Sequence, residues 1–276
     1  MSMTSIAGIP APELAAAADD NMAVHASWAQ ERLPGARVAR DADLVLVDSG
    51  LPCDTFNFVL RARLASATAP ARVEQAIAWF RRAGHPFSWW VGPADEPGNL
   101  GDLLSAAGLA AMESEVSMAA DLHALRDDHE APRGLEIARV RTPAQVRDFA
   151  RVLAAGWTPP DPLVARFYEM ATPALLSDDA PLWLYVGYLA GAPVATSEVT
   201  VGGGAAGLYN IMTLEPHRRQ GIGRAMTLRP LLDARAAGLR LAILQASADG
   251  LRVYSQIGFV ATGQITEYKP PGEAAP

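Results

Sequence analysis

A chain of 276 residues, half of them hydrophobic and 19% charged, can bury two cores of ordinary size and is too apolar to be disordered. A formal net charge of −7 leaves no basic face for nucleic acid, so nucleic acid is excluded as a partner and an amine-bearing one is mildly favoured. Cys53 stands alone, which excludes an internal disulfide or a thiolate metal cluster and suits a reducing compartment. Residues 1–20 lack a basic and then apolar leader, and no apolar run is long enough to span a bilayer. The expectation is a cytoplasmic protein with no membrane partner and no metal.

Residues 1–12 are small and punctuated by proline, which predicts a flexible N-terminus, and residues 13–33 read as a helix. Strand-like runs follow at 37–40, 44–47 and 55–61, the last marked by the alternation of Phe56, Phe58 and Leu60. Val73, Ile77 and Phe80 recur at helical spacing over 72–82, and Gly84 stands where a helix would end. A strand at 87–91, a short helix at 100–107 and a strand running to Leu122 complete the first half. Residues 126–133 are charged and bounded by proline and glycine, the composition of a linker.

The second half starts near Gly134. A strand at 135–140 leads to Thr142 and Pro143, an N-cap and first-turn pair, and a second helix covers 163–176. Runs 182–189 and 193–201 form a hairpin about Gly191-Ala192, and Gly202-Gly203-Gly204 returns the chain to a strand ending near Leu214. A helix starts at Gly221. Pro230 lies inside it and predicts a kink near Met226. A strand at 241–245, a helix at 250–257 and the turn Gly258-Phe259 lead to a last strand. The two halves repeat this order of elements, and Ala71 precedes Gly108 by the same interval that separates Gly221 from Gly258. The expected architecture is α/β (α+β) and tandem: residues 13–125 and 134–276 each build a mixed, mostly antiparallel sheet flanked by helices.

The chemistry concentrates between residues 208 and 237, where a strand passes through a turn into a helix. A helix start carries unpaired N–H groups and partial positive charge, and Gly221 and Gly223 let an anion reach that backbone. Arg218, Arg219 and Arg224 add guanidinium forks. The site suits a diphosphate. The dinucleotide fingerprint would need a small residue where Met226 stands, and the P-loop's Gly-Lys-Ser/Thr is absent.

The run Arg218-Arg219-Gln220-Gly221-Ile222-Gly223 resembles the Gln/Arg-x-x-Gly-x-Gly/Ala signature of the GNAT acyltransferases, whose loop holds the pyrophosphate of acetyl-CoA. Residues 244–259, LQASADGLRVYSQIGF, resemble the second signature of the same family. The resemblance implies acetyl-CoA as co-substrate, bound by Arg218, Arg219, Gln220, Gly221, Ile222, Gly223 and Arg224, by the backbone of Ile211, Met212 and Thr213, and by Ser247. It also implies that Tyr254 gives a proton to the leaving thiolate, and that the acetyl group passes directly to an amine of a small molecule or peptide. A base must neutralise that amine. Glu198 on the neighbouring strand is the candidate, with a solvated strand carboxylate as the alternative. The first half is then a diverged GNAT-like copy: Thr68-Ala69-Pro70-Ala71-Arg72-Val73 stands where the glycine loop would be, and that half is expected to be a structural partner or a wall of the acceptor site. A second function stays open, a catalytically idle acyl-CoA-binding module. Oligomeric state is also open, a homodimer being one option.

Overall fold

The structure, a computed structural model, describes residues 5–127 and 130–271. The ends of the chain and positions 128 and 129 of the expected linker lie outside the described residues. The first half contains α1 (Ala11–Ser27), β1 (Arg37–Arg40), β2 (Val45–Asp48), β3 (Phe58–Leu60), α2 (Ala69–Ala83), β4 (Ser88–Val91), α3 (Leu100–Ala106) and β5 (Ala110–Asp121). The second contains β6 (Leu135–Arg139), α4 (Pro143–Ala154), α5 (Pro162–Leu175), β7 (Leu182–Leu189), β8 (Ala192–Gly202), β9 (Ala205–Thr213), α6 (Ile222–Ala236), β10 (Leu241–Ala246), α7 (Ala248–Ile257) and β11 (Val260–Lys269).

The strands make one continuous sheet in the order β1-β2-β3-β4-β11-β5-β10-β9-β8-β7-β6. β3 with β4 and β9 with β10 run parallel, and the other neighbours antiparallel. The mixed, mostly antiparallel sheet flanked by helices is therefore present, but the halves interleave at its centre. β5, from the first half, lies beside β10 of the second, and β11 lies beside β4 of the first. Each half thus completes its sheet with the other's last strand.

Alternation along β8 sorts the two faces. Thr196, Glu198 and Thr200 point one way, towards α1 and α5. Ala195 and Val199 point the other way, where Met226 and Leu228 of α6 cover them.

Helix α1 is fastened to the β8–β9 hairpin by a buried asparagine. The Asn21 side-chain amide donates to the carbonyls of Thr200, Gly202 and Ala205 at 2.9, 2.9 and 3.1 Å. Backbone and side chain can approach this closely because Gly207 has no Cβ; one built there would lie 1.9 Å from Asn21 Oδ1. The glycines of this hairpin therefore do more than turn the chain: they make a bed for α1.

Several boundaries differ from the sequence reading. The first helix stops at Ser27 and gives way to a 3-10 turn over Gln30–Arg32 before Pro34-Gly35. Ile6, in the stretch expected to be flexible, is buried with Leu14 and Ile243. Residues 54–56 form a 3-10 turn instead of strand, because buried Asn57 gathers the loop by donating to the carbonyls of Leu51, Cys53 and Pro86. α6 runs unbroken through Pro230. Met226, Leu228, Leu231 and Ala234 are buried along it, and such packing holds a helix more firmly than propensity does. Among the described residues no helix is long and apolar enough to cross a membrane.

Candidate active site

The residues expected to form a phosphate loop come together at the start of α6. Gly221 occupies the N-cap position at φ +82°, a conformation that favours glycine, and no side chain caps the helix. Arg219 also has a positive φ, +59°. Left-handed residues interrupting the loop turn successive N–H groups towards one side, the geometry of an anion nest. The helical ladder begins with Ala225 N–H donating to Gly221 O, which places the Ile222 and Gly223 amides ahead of it. A Cβ built on Gly223 would find nothing nearer than Thr213 Oγ1 at 3.9 Å, and one on Gly221 nothing nearer than Pro132 Cγ at 3.5 Å. The glycines thus leave open space over the helix start, a cradle that fits a diphosphate.

Around this cradle Arg218, Arg219 and Gln220 are exposed. Arg218 donates to Thr213 O and Gln220 to Pro216 O. Arg224 is turned towards the segment between the halves, where its guanidinium donates to Arg126 O at 3.1 Å. The Ile222 side chain is buried with Tyr185, Val194 and Met226, so only its backbone is offered to the loop.

Ile211, Met212 and Thr213 lie where β9 leaves its parallel neighbour. The two strands pair from Ala205 with Leu241 to Leu208 with Leu244, and no further. β9 carries a bulge here, since its register against β8 shifts between Thr196 and Glu198, and Asn210 adopts φ +52°. The bulge keeps Tyr209 and Asn210 on the α1/α5 face while Ile211 passes to the α6 side. Thr196 satisfies the displaced Asn210 carbonyl at 2.9 Å. Ser247 ends β10 at the same split, exposed at the N-cap of α7.

Glu198 is no solvated carboxylate. It is 1% exposed and accepts from His25 Nδ1 at 2.8 Å, Thr200 Oγ1 at 2.8 Å and Asn210 Nδ2 at 3.0 Å. Burial alone would raise its pKa, but the neighbouring His25 and these hydrogen bonds outweigh it and hold the carboxyl below its usual value. His25 stacks on Tyr209 at 3.8 Å between ring centroids, and Tyr209 OH donates to Asn21 Oδ1 at 2.9 Å. Asn210 Nδ2 also donates to Tyr168 OH of α5 at 3.2 Å.

A cavity of about 60 Å³ opens beside this cluster, lined by His25, Gln30, Phe56, Phe167, Glu198 and Asn210 among others. Both halves build it. His25, Asn21, Tyr168 and Gln30 carried no signal in the sequence, because they reach Glu198 only through tertiary contacts. The Tyr209-Asn210 pair, polar within an otherwise apolar strand, was a signal that could have been read.

Tyr254 lies on the other side of the sheet. It packs edge-on to Phe259 within the cluster that includes Leu228 and Leu231 of α6. Gly250 leaves room for its ring, since a Cβ there would sit 2.6 Å from Tyr254 Cε2. Burial, and then the Glu115 carboxylate, push its hydroxyl up to about 12, so it keeps its proton at neutral pH. Tyr254 and Glu198 are therefore on opposite faces, with the β9–β10 split between them. Cys53 is buried and its thiol is likewise pushed up to about 12, which makes it a packing residue. Among the described residues no group of three or more His, Cys, Asp or Glu is placed to hold a metal ion.

Residues 117–244 match the acetyltransferase (GNAT) domain family. The sequence matches no curated protein. Solved structures share the whole architecture: a GCN5-related N-acetyltransferase from Kribbella flavida superposes with TM-score 0.71 at 21% identity, covering 94% of this chain and 96% of that one. A tandem GNAT protein from the clavulanic acid biosynthesis pathway gives 0.58 at 17% identity, with 86% and 83% covered. A GCN5-related N-acetyltransferase from Sphaerobacter thermophilus gives 0.59 at 15%, with 82% and 80% covered. Residues 117–244 are thus similar to a GNAT acetyltransferase domain, inside a fold that this chain shares with tandem GNAT structures.

Proposed function

We propose that the protein is an N-acetyltransferase that uses acetyl-CoA and moves the acetyl group directly to a primary amine, working in the cytoplasm. The observation that carries this reading is the β9–β10 split, with an open glycine cradle at its α6 end and a cavity holding an ionised carboxylate on the opposite face. Acetyl-CoA would supply the reactive thioester. The Ile222 and Gly223 amides, with Arg218 and Arg219, would hold its pyrophosphate, and the unpaired edge of Ile211, Met212 and Thr213 would hold its pantetheine arm. Backbone donors fixed at the bulge stabilise charge as it develops on an acyl oxygen, and confinement of both reactants removes much of the entropic barrier. Tyr254, on the α7 side, would be the proton donor. Glu198 provides the negative charge that draws an ammonium group into the cavity.

The test is thiol release from acetyl-CoA with and without primary amines, alongside calorimetry with CoA. Amine-dependent release together with CoA binding is expected. Tight CoA binding with no release for any amine would leave a binding module and end the transferase reading.

A further inference from the structure

His25 stands on the N-terminal helix and yet touches the acceptor cavity. An ionised Glu198 carboxylate can only accept, so the hydrogen between Glu198 Oε1 and His25 Nδ1 belongs to the imidazole. With that hydrogen on Nδ1, the neutral form of the imidazole has its lone pair on Nε2, which has no hydrogen-bond partner among the described residues. The side chain is 21% exposed and lines the cavity. Glu198, by contrast, already receives three hydrogen bonds and is held ionised, which makes it a poor proton acceptor and a good anchor for an imidazolium. Gln30 adds a second observation: it is 3% exposed, lines the same cavity, and its side-chain oxygen has no partner.

We propose that His25 Nε2 is the catalytic proton acceptor of the acetyl transfer, that Glu198 positions it, and that the cavity admits a short alkyl primary amine bearing no carboxylate. The proposal rests on the transferase reading above. Volume and chemistry choose the amine. At about 10–15 Å³ for each water-sized group, the space holds roughly four to six heavy atoms. Phe56, Phe58, Trp157 and Phe167 offer apolar walls, while among the described residues no Lys or Arg lines the cavity to meet a carboxylate. Gln30 Oε1 and His25 Nε2 both accept hydrogens, and an entering ammonium has hydrogens to give.

The proton count follows. His25 takes one proton from the ammonium and passes it to solvent once transfer is over. The neutral nitrogen forms its bond to the acetyl carbon as the carbon–sulfur bond breaks. The second proton the nitrogen loses balances the one that ends on the CoA sulfur. Glu198 stays ionised throughout and stabilises the imidazolium, the role of a carboxylate behind a histidine base.

The full-length protein serves for the test, with isobutylamine as probe. His25→Gln keeps a hydrogen-bond donor for Glu198 but has no titratable nitrogen. It should lower kcat by roughly 10²-fold while CoA affinity stays unchanged, and added imidazole should restore part of the activity of His25→Ala. Without acetyl-CoA, calorimetry should show isobutylamine binding about tenfold more weakly to Gln30→Met, and glycine not binding to the wild type. Nitrogen NMR of the wild-type protein should show His25 protonated at Nδ1, a signature that Glu198→Gln removes. Wild-type kcat in a folded His25→Gln, a loss in His25→Ala that imidazole leaves unmoved, or glycine bound as well as isobutylamine would each overturn the proposal while the transferase reading stands. CoA binding with no amine-dependent release in the wild type would sink that reading, and this proposal with it.

Discussion

The two halves each place a helix start between the strands of a parallel pair, and they treat it in opposite ways. At α6 the Ile222 and Gly223 amides precede the helical ladder, the glycines leave open space, and Arg218 and Arg219 are exposed. At α2 the corresponding groups are used up. Ala69 N–H donates to Ala65 O, and Pro70 has no N–H. The Arg72 side chain is held by Asp41 and Asp43, whose charge would repel a phosphate. The strands differ too. Beyond Leu208 and Leu244 the β9–β10 pair separates, whereas a bridge between Arg63 and Glu96 continues the β3–β4 line. The two helix starts thus share a place in the topology and differ in a few groups: a proline and two aspartates at α2, two glycines and exposed arginines at α6. The first half contributes α1 and the loop before β3 as walls of the cavity at Glu198.

The comparison breaks most visibly at Gly221. Valine there would face both the left-handed φ of +82° and the space proposed for phosphate, so Gly221→Val should reduce CoA binding by at least about 10²-fold while the fold survives. Calorimetry and thermal melting check the two halves of that statement. Stoichiometry comes next: the intact protein should bind a single CoA, and a second equivalent would mean that the α2 end is open after all. Tyr254→Phe should lower the chemical step by roughly 10²-fold with CoA affinity nearly unchanged. A mutant with wild-type pre-steady-state acetyl transfer would return Tyr254 to the core beside Phe259.

Local rules carried much of the fold. Thr142-Pro143, Gly84 and the Gly191 hairpin all stand where sequence placed a cap or a turn, because each follows from backbone conformation within a few residues. The glycine loop was legible for the same reason. The interleaving of β5 and β11 was not, since strand partnership is decided by burial across the whole sheet and both orders satisfy the same alternation. The run at 55–61 shows the other kind of loss. Its apolar alternation predicted strand, but the polar side chain of Asn57 had three carbonyls to satisfy and bent the chain to meet them. The cluster around Glu198 was half visible: the carboxylate could be chosen from its strand, whereas His25 lies 173 positions away and on a helix whose partner nothing local reveals.

The smallest expected effects fall on the arginines, and they compare the two helix starts directly. Arg219 is exposed on the loop, and a surface guanidinium paired with phosphate contributes about 0.2–1 kcal/mol. Arg219→Ala should therefore weaken CoA binding by no more than about fivefold and leave stability unchanged. Arg72 has a side chain only 18% exposed and bridges two aspartates of its own half, so Arg72→Ala should leave CoA binding untouched and lower stability by about 1 kcal/mol, the upper end for an ion pair near the surface. Titration of CoA into both variants, with urea unfolding of each, separates the two. If Arg72→Ala proved the more damaging to CoA binding, the phosphate would have to sit at α2, and the assignment of the two helix starts would be reversed.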